Sequence, residues 1–491
     1  MDTPSADRAS VSRQSRHYAR ARAWCEWSDF HSWPERVQAD MADPAGAAWP
    51  PFLLLAMPGI DATTQRICAT RWLSARLAAL HATPATQPMP LLPPTGPPGL
   101  PGRTRLRVGY LSGDFQEHAT AMLMVEMLEA HNRDLVELYA YSHAQDDGKG
   151  MRQRLMPLFD GFRDIQAMDD RQAAQQVRDD AIDILVDLKG YTQGSRTLLL
   201  AHRPAAIQVS FLGYPGTLGQ DFVDYLISDR FVTPHAAAGD YQEALACMPH
   251  SYQPRGRVRE PHQPPPTRRA SGLPEQAFVF ACFNQAWKLT PEVFDIWCEL
   301  LRSVPDSVLW LLEDAQAGGN LRNEALARGV SPHRLVFAPD LPQAAHLARL
   351  PLMDLMLDTW PYNAHTTASD ALSAGVPLVT LAGQTFASRV AGGLLVAAGL
   401  PELVTHSTLD YVALARALAQ DPLRLQALRQ GFERQRHTAH LFDVTAYTAA
   451  LEALYVRMWA RHQAGLPPSA IDLPEPGLEG FAQDPAKKAD A

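Results

Sequence analysis

Three short stretches carry residue types that could act on a charged ligand. The first is NAHTTASDAL at 363–372, where Asn363 and His365 come just ahead of two threonines at a position where a helix would open. Unpaired amides at a helix start, the positive end of the dipole and the Thr366 and Thr367 hydroxyls together make an anion site that a pyrophosphate would fit. The same run also reads as a threonine N-cap with Asp370 as its capping-box acid. Asp370 could instead face a sugar hydroxyl. The second stretch, FNQAWK at 283–288, sets Gln285 and Lys288 just past an apolar run. A lysine there could neutralise charge gathering on a departing diphosphate, a role that metal ions fill elsewhere. On spacing alone, a surface lysine opening the next helix is the plainer reading. The third is a pair, SGDFQEHAT at 112–120 and LGYPGTLG at 212–219. Gly213 and Gly216, with Pro215 and Thr217, let backbone approach a ligand closely, and they equally make turns. His118 could be a base, a hydrogen-bond partner for a sugar, or a satisfied core histidine.

Other chemistries lack their marks. No HxxxH spacing or DxD-type carboxylate cluster stands out, so a bound divalent metal is not expected. A Walker lysine loop and GxGxxG are also missing, which lowers the kinase and dehydrogenase readings.

The elements that must position these turns alternate. Strands are expected at 106–112, 135–142, 182–188, 206–213 and 224–229, with helices at 119–131, 150–159 and 170–179. After residue 274 the pattern restarts, with strands at 277–284, 307–313, 334–339, 354–358 and 377–382. Helices fall between them at 290–303, 318–328, 342–350, 366–375 and 386–399. The strands are nearly continuous apolar runs, as strands covered on both faces require. Such alternation implies right-handed βαβ units, so an α/β fold of two doubly wound domains facing each other is expected. Their ligands should sit outside the carboxyl ends of the strands, where the three turns lie. The first hundred residues read as helical and aromatic-rich. Residues 408–463 read as three helices, the last docking on the body.

At 491 residues, 46% hydrophobic and 20% charged, the chain suits two sizeable cores. A net charge of −9 and a pI near 6.0 argue against nucleic acid as a partner. No run approaches a membrane span, and no apolar signal region opens the chain. Five scattered cysteines without CxxC spacing fit reduced core residues in a cytoplasmic protein.

Taken in order, RVGYLSGDFQEHAT, DLKGYTQGSR, IQVSFLGYPGTLG, ACMPHSYQP, FNQAWK, SVLWLL, LDTWPYNAHTTASDAL and GQTFASRVAGGLL resemble the catalytic region of O-linked N-acetylglucosamine transferases. That group includes bacterial homologues and SPINDLY-type relatives, and the resemblance runs from about residue 105 to 463. It implies a GT-B fold and inversion at the anomeric carbon, without a metal or other cofactor. The implied partners are a nucleotide sugar, UDP-GlcNAc first, and a protein hydroxyl acceptor. GDP-fucose to Ser/Thr, UDP-glucose to Asn and a non-catalytic sugar-nucleotide binder are the alternatives. It places Lys288 on the donor diphosphate with Gln285 beside it, and makes His346 and Arg349 in PQAAHLAR the nucleoside-binding pair. His365, Thr366 and Thr367 become the phosphate site, Asp370 the acid near ribose or sugar, and His118 the candidate base. Gln343 and Ala364 depart from the family pattern, standing where a lysine and a glycine are usual.

The expected division is a helical region at 1–83, the remnant of a tetratricopeptide-like segment, then a Pro-rich linker at 84–104 and a Rossmann-like domain at 105–253. A surface linker at 254–274 leads to a nucleotide-sugar-binding Rossmann-like domain at 275–440, a C-terminal helix at 441–464 and a flexible tail at 465–491.

Overall fold

The computed structural model describes residues 4–81, 104–257 and 264–473. The expected linker at 84–104 falls almost wholly outside them. Two parallel sheets form the body. The first is built from β1 (Leu106–Ser112), β2 (Val136–Ser142), β3 (Gly161–Asp164), β4 (Ile184–Asp187), β5 (Ile207–Ser210), β6 (Tyr225–Asp229) and β7 (Ala244–Met248). The second holds β8 (Phe278–Cys282), β9 (Ser307–Leu312), β10 (Leu335–Ala338), β11 (Leu355–Leu357), β12 (Leu378–Leu381) and β13 (Val404–Thr405). All ten expected strands form, shortened by up to three residues at an end. Their apolar runs are buried through their length, as in β4 and β5, because helices cover both faces.

Strand order fixes where a ligand can sit. The first sheet runs β7-β6-β5-β4-β1-β2-β3, so the winding reverses between β1 and β4. The second runs β10-β9-β8-β11-β12-β13 and reverses between β8 and β11. At each reversal the loops leave in opposite directions and open a crevice at the carboxyl ends. The turns after β1, β4, β8 and β11 carry SGDF, DLKG, FNQAWK and NAHTT, and they meet across the interdomain cleft.

The four N-terminal helices, Pro4–Ala23, Ser32–Ala42, Pro51–Leu54 and Ala62–His81, enclose a small core around Trp33, Trp49, Leu54 and Met57. They hold both domains. Thr70 Oγ1 donates to Gly219 O at 3.0 Å on the first, and Arg22 Nη2 donates to Trp287 O at 2.6 Å on the second. The last helix, Val444–Gln463, returns to the first domain. There Glu452 Oε1 bonds His131 Nδ1 at 2.8 Å and the Asn132 amide at 2.7 Å.

Two expectations need correction. Part of the tail at 465–491 is structured: Ile471–Asp472 forms β14, which pairs with β7 and completes an eight-stranded sheet. The edge of β7 offers unpaired backbone groups, and Ile471 buries its side chain there. Residues 474–491 lie outside the described ones. The linker at 254–274 does not simply cross the surface, because Arg255 bonds Ser373 and Asp370 of helix Thr366–Ser373. Residues 258–263 of that linker also lie outside the described residues. The five cysteines are free and buried, and no helix among the described residues is long and apolar enough to cross a membrane.

Candidate active site

Lys288 ends a short 3-10 turn, Ala286–Lys288, just past β8. Its Nζ donates to Asn363 O at 2.9 Å and lies 4.1 Å from the centroid of the Tyr362 ring. Asp358, fully buried at the end of β11, accepts from the Thr359 amide at 2.7 Å, the Ala364 amide at 2.6 Å and Thr380 Oγ1 at 2.5 Å. Those bonds clamp both ends of the turn that carries Asn363. Burial pulls the Lys288 ammonium down to about 8 and pushes the Asp358 carboxyl up, and each charge partly offsets the other's shift.

Across from the lysine, helix Thr366–Ser373 opens. Its first turn leaves the Thr366 and Thr367 amides without an intrahelical acceptor, the arrangement that binds anions. Thr367 Oγ1 donates to Asn284 Oδ1, and Asn284 Nδ2 donates to Thr359 Oγ1 at 2.8 Å, which ties the β8 and β11 turns together. His365 donates from Nε2 to Ala387 O at 3.3 Å and stacks on Tyr362 at 4.7 Å. Burial and Lys288 hold its pKa well below the ordinary value, so the ring is neutral and its one proton is already taken. The ring is thus a wall of the site. The amides and threonine hydroxyls beside it remain to meet phosphate oxygens.

These groups line an inner cavity of 300 Å³ together with His118, Gly213, Gln253, Phe283, Gln285 and Trp287. An outer chamber of 630 Å³ shares His118, Thr120, Gly213, Gln285, Trp287 and Tyr362 with it and extends to Phe52 and Leu53 of the N-terminal helices. In its floor Lys189 Nζ holds both oxygens of Asp114 at 2.9 Å, with each side chain 8% exposed. The two come from the turns after β4 and β1, at the point where the first sheet reverses.

Residues 98–255 and 260–451 match the model of glycosyl transferase family 41, well over half of the chain. The chain belongs to glycosyl transferase family 41. It is 39% identical over 417 residues to a probable UDP-N-acetylglucosamine–peptide N-acetylglucosaminyltransferase SEC of Arabidopsis thaliana, covering 82% of this chain and 43% of that one. It is 30% identical over 476 residues to the UDP-N-acetylglucosamine–peptide N-acetylglucosaminyltransferase of Caenorhabditis elegans, covering 74% and 41%. The chain therefore spans less than half the length of these relatives. A solved Lys-to-Met variant of Thermobaculum terrenum O-GlcNAc transferase shares the fold with a TM-score of 0.74 at 33% identity, over 84% of this chain and 76% of that one. The fold class is as expected: GT-B type, two Rossmann-like domains facing a cleft, with a helical N-terminal extension.

Within this family 41 fold the expected site residues divide. His118, Gly213, Gln285, Lys288, His365, Thr366 and Thr367 meet in the inner cavity. His346 does not line it but packs against Phe283, which does, at 5.6 Å between ring centroids. Arg349 does not reach the cavity. It is 2% exposed, and its guanidinium bonds Pro339 O at 2.6 Å and His346 Nδ1 at 2.9 Å, so it orients His346 instead of meeting a ligand. Pro215, Gly216 and Thr217 turn away as well, because Thr217 Oγ1 donates to the buried Glu243 at 2.5 Å. Gly213 is required by packing, since a Cβ there would stand 1.9 Å from Leu188 O. Asp370 is ion-paired to Arg255 at 2.6 Å.

His118 is the N-cap of helix Ala119–Ala130, and its Nδ1 accepts from the Thr120 amide at 3.2 Å. The same Nδ1 lies 3.5 Å from Asp114 Oδ2, so the Thr120 amide favours a proton on Nε2 and the carboxylate one on Nδ1. Burial lowers the pKa of the ring, and Asp114 partly offsets that shift. Sequence reasoning missed Asp114, Lys189, Gln253, Arg255 and Tyr362. The first two stand just past β1 and β4, so the rule that sites lie at strand ends could have found them. No local spacing signals Arg255.

Proposed function

We propose that the chain is an inverting, metal-independent glycosyltransferase that moves N-acetylglucosamine from UDP-GlcNAc to Ser/Thr hydroxyls of proteins. The observation that carries this reading is one cationic group, Lys288, facing a helix start at Thr366 and Thr367 across a cavity at both switch points of a family 41 fold. The names of the relatives support the donor and the peptide acceptor.

In this reading the donor diphosphate lies between Lys288 and the Thr366–Thr367 amides, with Gln285 beside it and the nucleoside toward His346. The acceptor hydroxyl enters from the outer chamber and attacks the anomeric carbon from the face opposite the diphosphate. The new C–O bond forms as the bond to the phosphate oxygen breaks, the electron pair leaves with UDP, and the hydroxyl proton passes to His118, which lines both chambers. Lys288 and the helix start stabilise the charge that grows on the leaving group, where preorganised donors act most strongly. Among the described residues no three His, Cys, Asp or Glu gather as a metal site, and Lys288 is the group that supplies the positive charge.

The test is release of nucleotide from a panel of UDP-GlcNAc, UDP-glucose and GDP-fucose with the purified chain and a peptide mixture. UDP-GlcNAc is expected to turn over fastest. Faster turnover of either of the others would overturn the donor assignment.

A further inference from the structure

The turn that carries Lys288 is held from outside its own domain. Its internal bonds run from the Lys288 amide to Gln285 O at 3.0 Å and from the Leu289 amide to Ala286 O at 2.9 Å. They leave Trp287 O, the carbonyl of the peptide that leads into Lys288. Arg22 of the first N-terminal helix meets it: Nη2 donates to Trp287 O at 2.6 Å and reaches Ala56 O, just past the third helix, at 3.4 Å. Three residues on, Cys25 Sγ donates to Ala286 O at 3.5 Å. Phe52 of the third helix packs on Trp287 and Tyr362, with centroids 5.3 and 6.2 Å apart, and the Lys288 ammonium rests against those two rings. Arg22 is 4% exposed. Burying a guanidinium is costly, and a methionine of similar reach would fill the space without that cost. What the arginine adds is a hydrogen bond that fixes the orientation of one peptide.

We infer that Arg22 is a positioning residue for Lys288: by holding the Trp287–Lys288 peptide, it lets the N-terminal helices set where the ammonium meets the leaving diphosphate. The inference rests on the donor reading above and adds to it a determinant of rate outside the cavity wall. A peptide free to tilt would swing the Lys288 stem, and a misplacement of about 1 Å at a reacting centre costs about 100-fold. The ground-state diphosphate, still met by the amides of Thr366 and Thr367, loses much less.

The experiment is a double-mutant cycle on the full chain, with steady-state release of UDP from UDP-GlcNAc and a peptide mixture beside calorimetric UDP affinity. In Arg22→Met kcat should fall at least about tenfold, with UDP affinity within about threefold of wild type. Adding Arg22→Met to Lys288→Met should change kcat by less than about twofold, because two residues acting as one unit do not add. Arg22→Lys, which can still donate to Trp287 O, should retain most of kcat. A second readout needs no turnover: acetylation of Lys288, followed by mass spectrometry as pH is varied. The titratable groups facing Lys288 are Asp358 and His365 from the turn after β11 and Cys282 from β8, and Arg22→Met alters none of them. Labelling should set in near pH 8 in the wild type and move up toward the ordinary lysine range in Arg22→Met, as the ammonium regains water. An unchanged kcat in Arg22→Met, equal losses in the two backgrounds, or an unmoved labelling profile would overturn the inference. If Arg22→Met does not fold, Arg22→Gln, too short to reach Trp287 O, takes its place under the same outcomes. A wild type that releases no UDP brings down the donor reading, whereas an unmoved labelling profile brings down this inference alone.

Discussion

Lys288→Met removes the ammonium and keeps the length of the stem. In the resting protein the charge makes one hydrogen bond, to Asn363 O, and lies 4.1 Å from the Tyr362 ring and 5.8 Å from the Trp287 ring. Each is worth about 1 kcal/mol, so the fold should survive with a melting temperature lower by a few degrees. Asp358 keeps all three of its donors, Thr359, Ala364 and Thr380, and is not left as an orphaned charge. The transition state loses more. As the bond to the leaving phosphate breaks, charge builds beside the lysine, and one lost preorganised donor costs about 3 kcal/mol, or about 100-fold in kcat. UDP affinity should fall by less than about tenfold, since the ground-state diphosphate still meets the helix amides. Lys288→Arg should not rescue, because a planar fork does not fit where a compact ammonium sits between the Tyr362 ring and the Asn363 carbonyl. The assay is steady-state release of UDP beside calorimetric UDP affinity. A kcat within about threefold of wild type, or a loss of UDP affinity as large as the loss of kcat, would refute the reasoning.

The remaining expectations follow from the same geometry. For the donor, kcat/KM should decline as pH rises past about 8, where free Lys288 becomes neutral; Lys288→Met should lack that limb, and a flat wild-type profile would count against the assignment. His346→Ala should weaken UDP binding about tenfold with little change in kcat, as expected when uniform binding is removed. Arg349→Ala should cost about 2–3 kcal/mol of stability in urea titrations, because it leaves buried acceptors unpaired. A variant of normal stability but altered UDP affinity would return Arg349 to direct contact. Turnover should be unchanged in excess EDTA, and a large loss restored by Mg²⁺ or Mn²⁺ would sink the metal-independent reading.

Much of the fold was legible because doubly covered strands must be apolar along their whole length. LRVGYLS and DYLISD announce themselves, and both form. Four strands escaped: β3 is GFRD at an edge, β13 and β14 are two residues each, and β7 is ALACM, a buried run with no β-branched or aromatic residue to mark it. The residues that gather at the cavity were legible where they follow local punctuation, at Lys288 and Thr366–Thr367 just beyond strand ends. Others named with them lie elsewhere. PGT in the turn after β5 looks like a ligand loop, but Thr217 serves the buried Glu243. Arg349 looks like a ligand group, yet in this structure it is buried against His346 and Pro339 O. Arg255 and Asp370 are 115 residues apart, and pairing at that separation comes from topology, which no local spacing encodes.

The most direct test of the central claim is mass spectrometry of proteins from cells that co-express this chain or its Lys288→Met variant. Wild type is expected to add an N-acetylhexosamine to Ser- or Thr-bearing peptides, and the variant to leave them bare. Addition of a hexose to asparagine, of a deoxyhexose to Ser/Thr, or of no sugar by the wild type would contradict it.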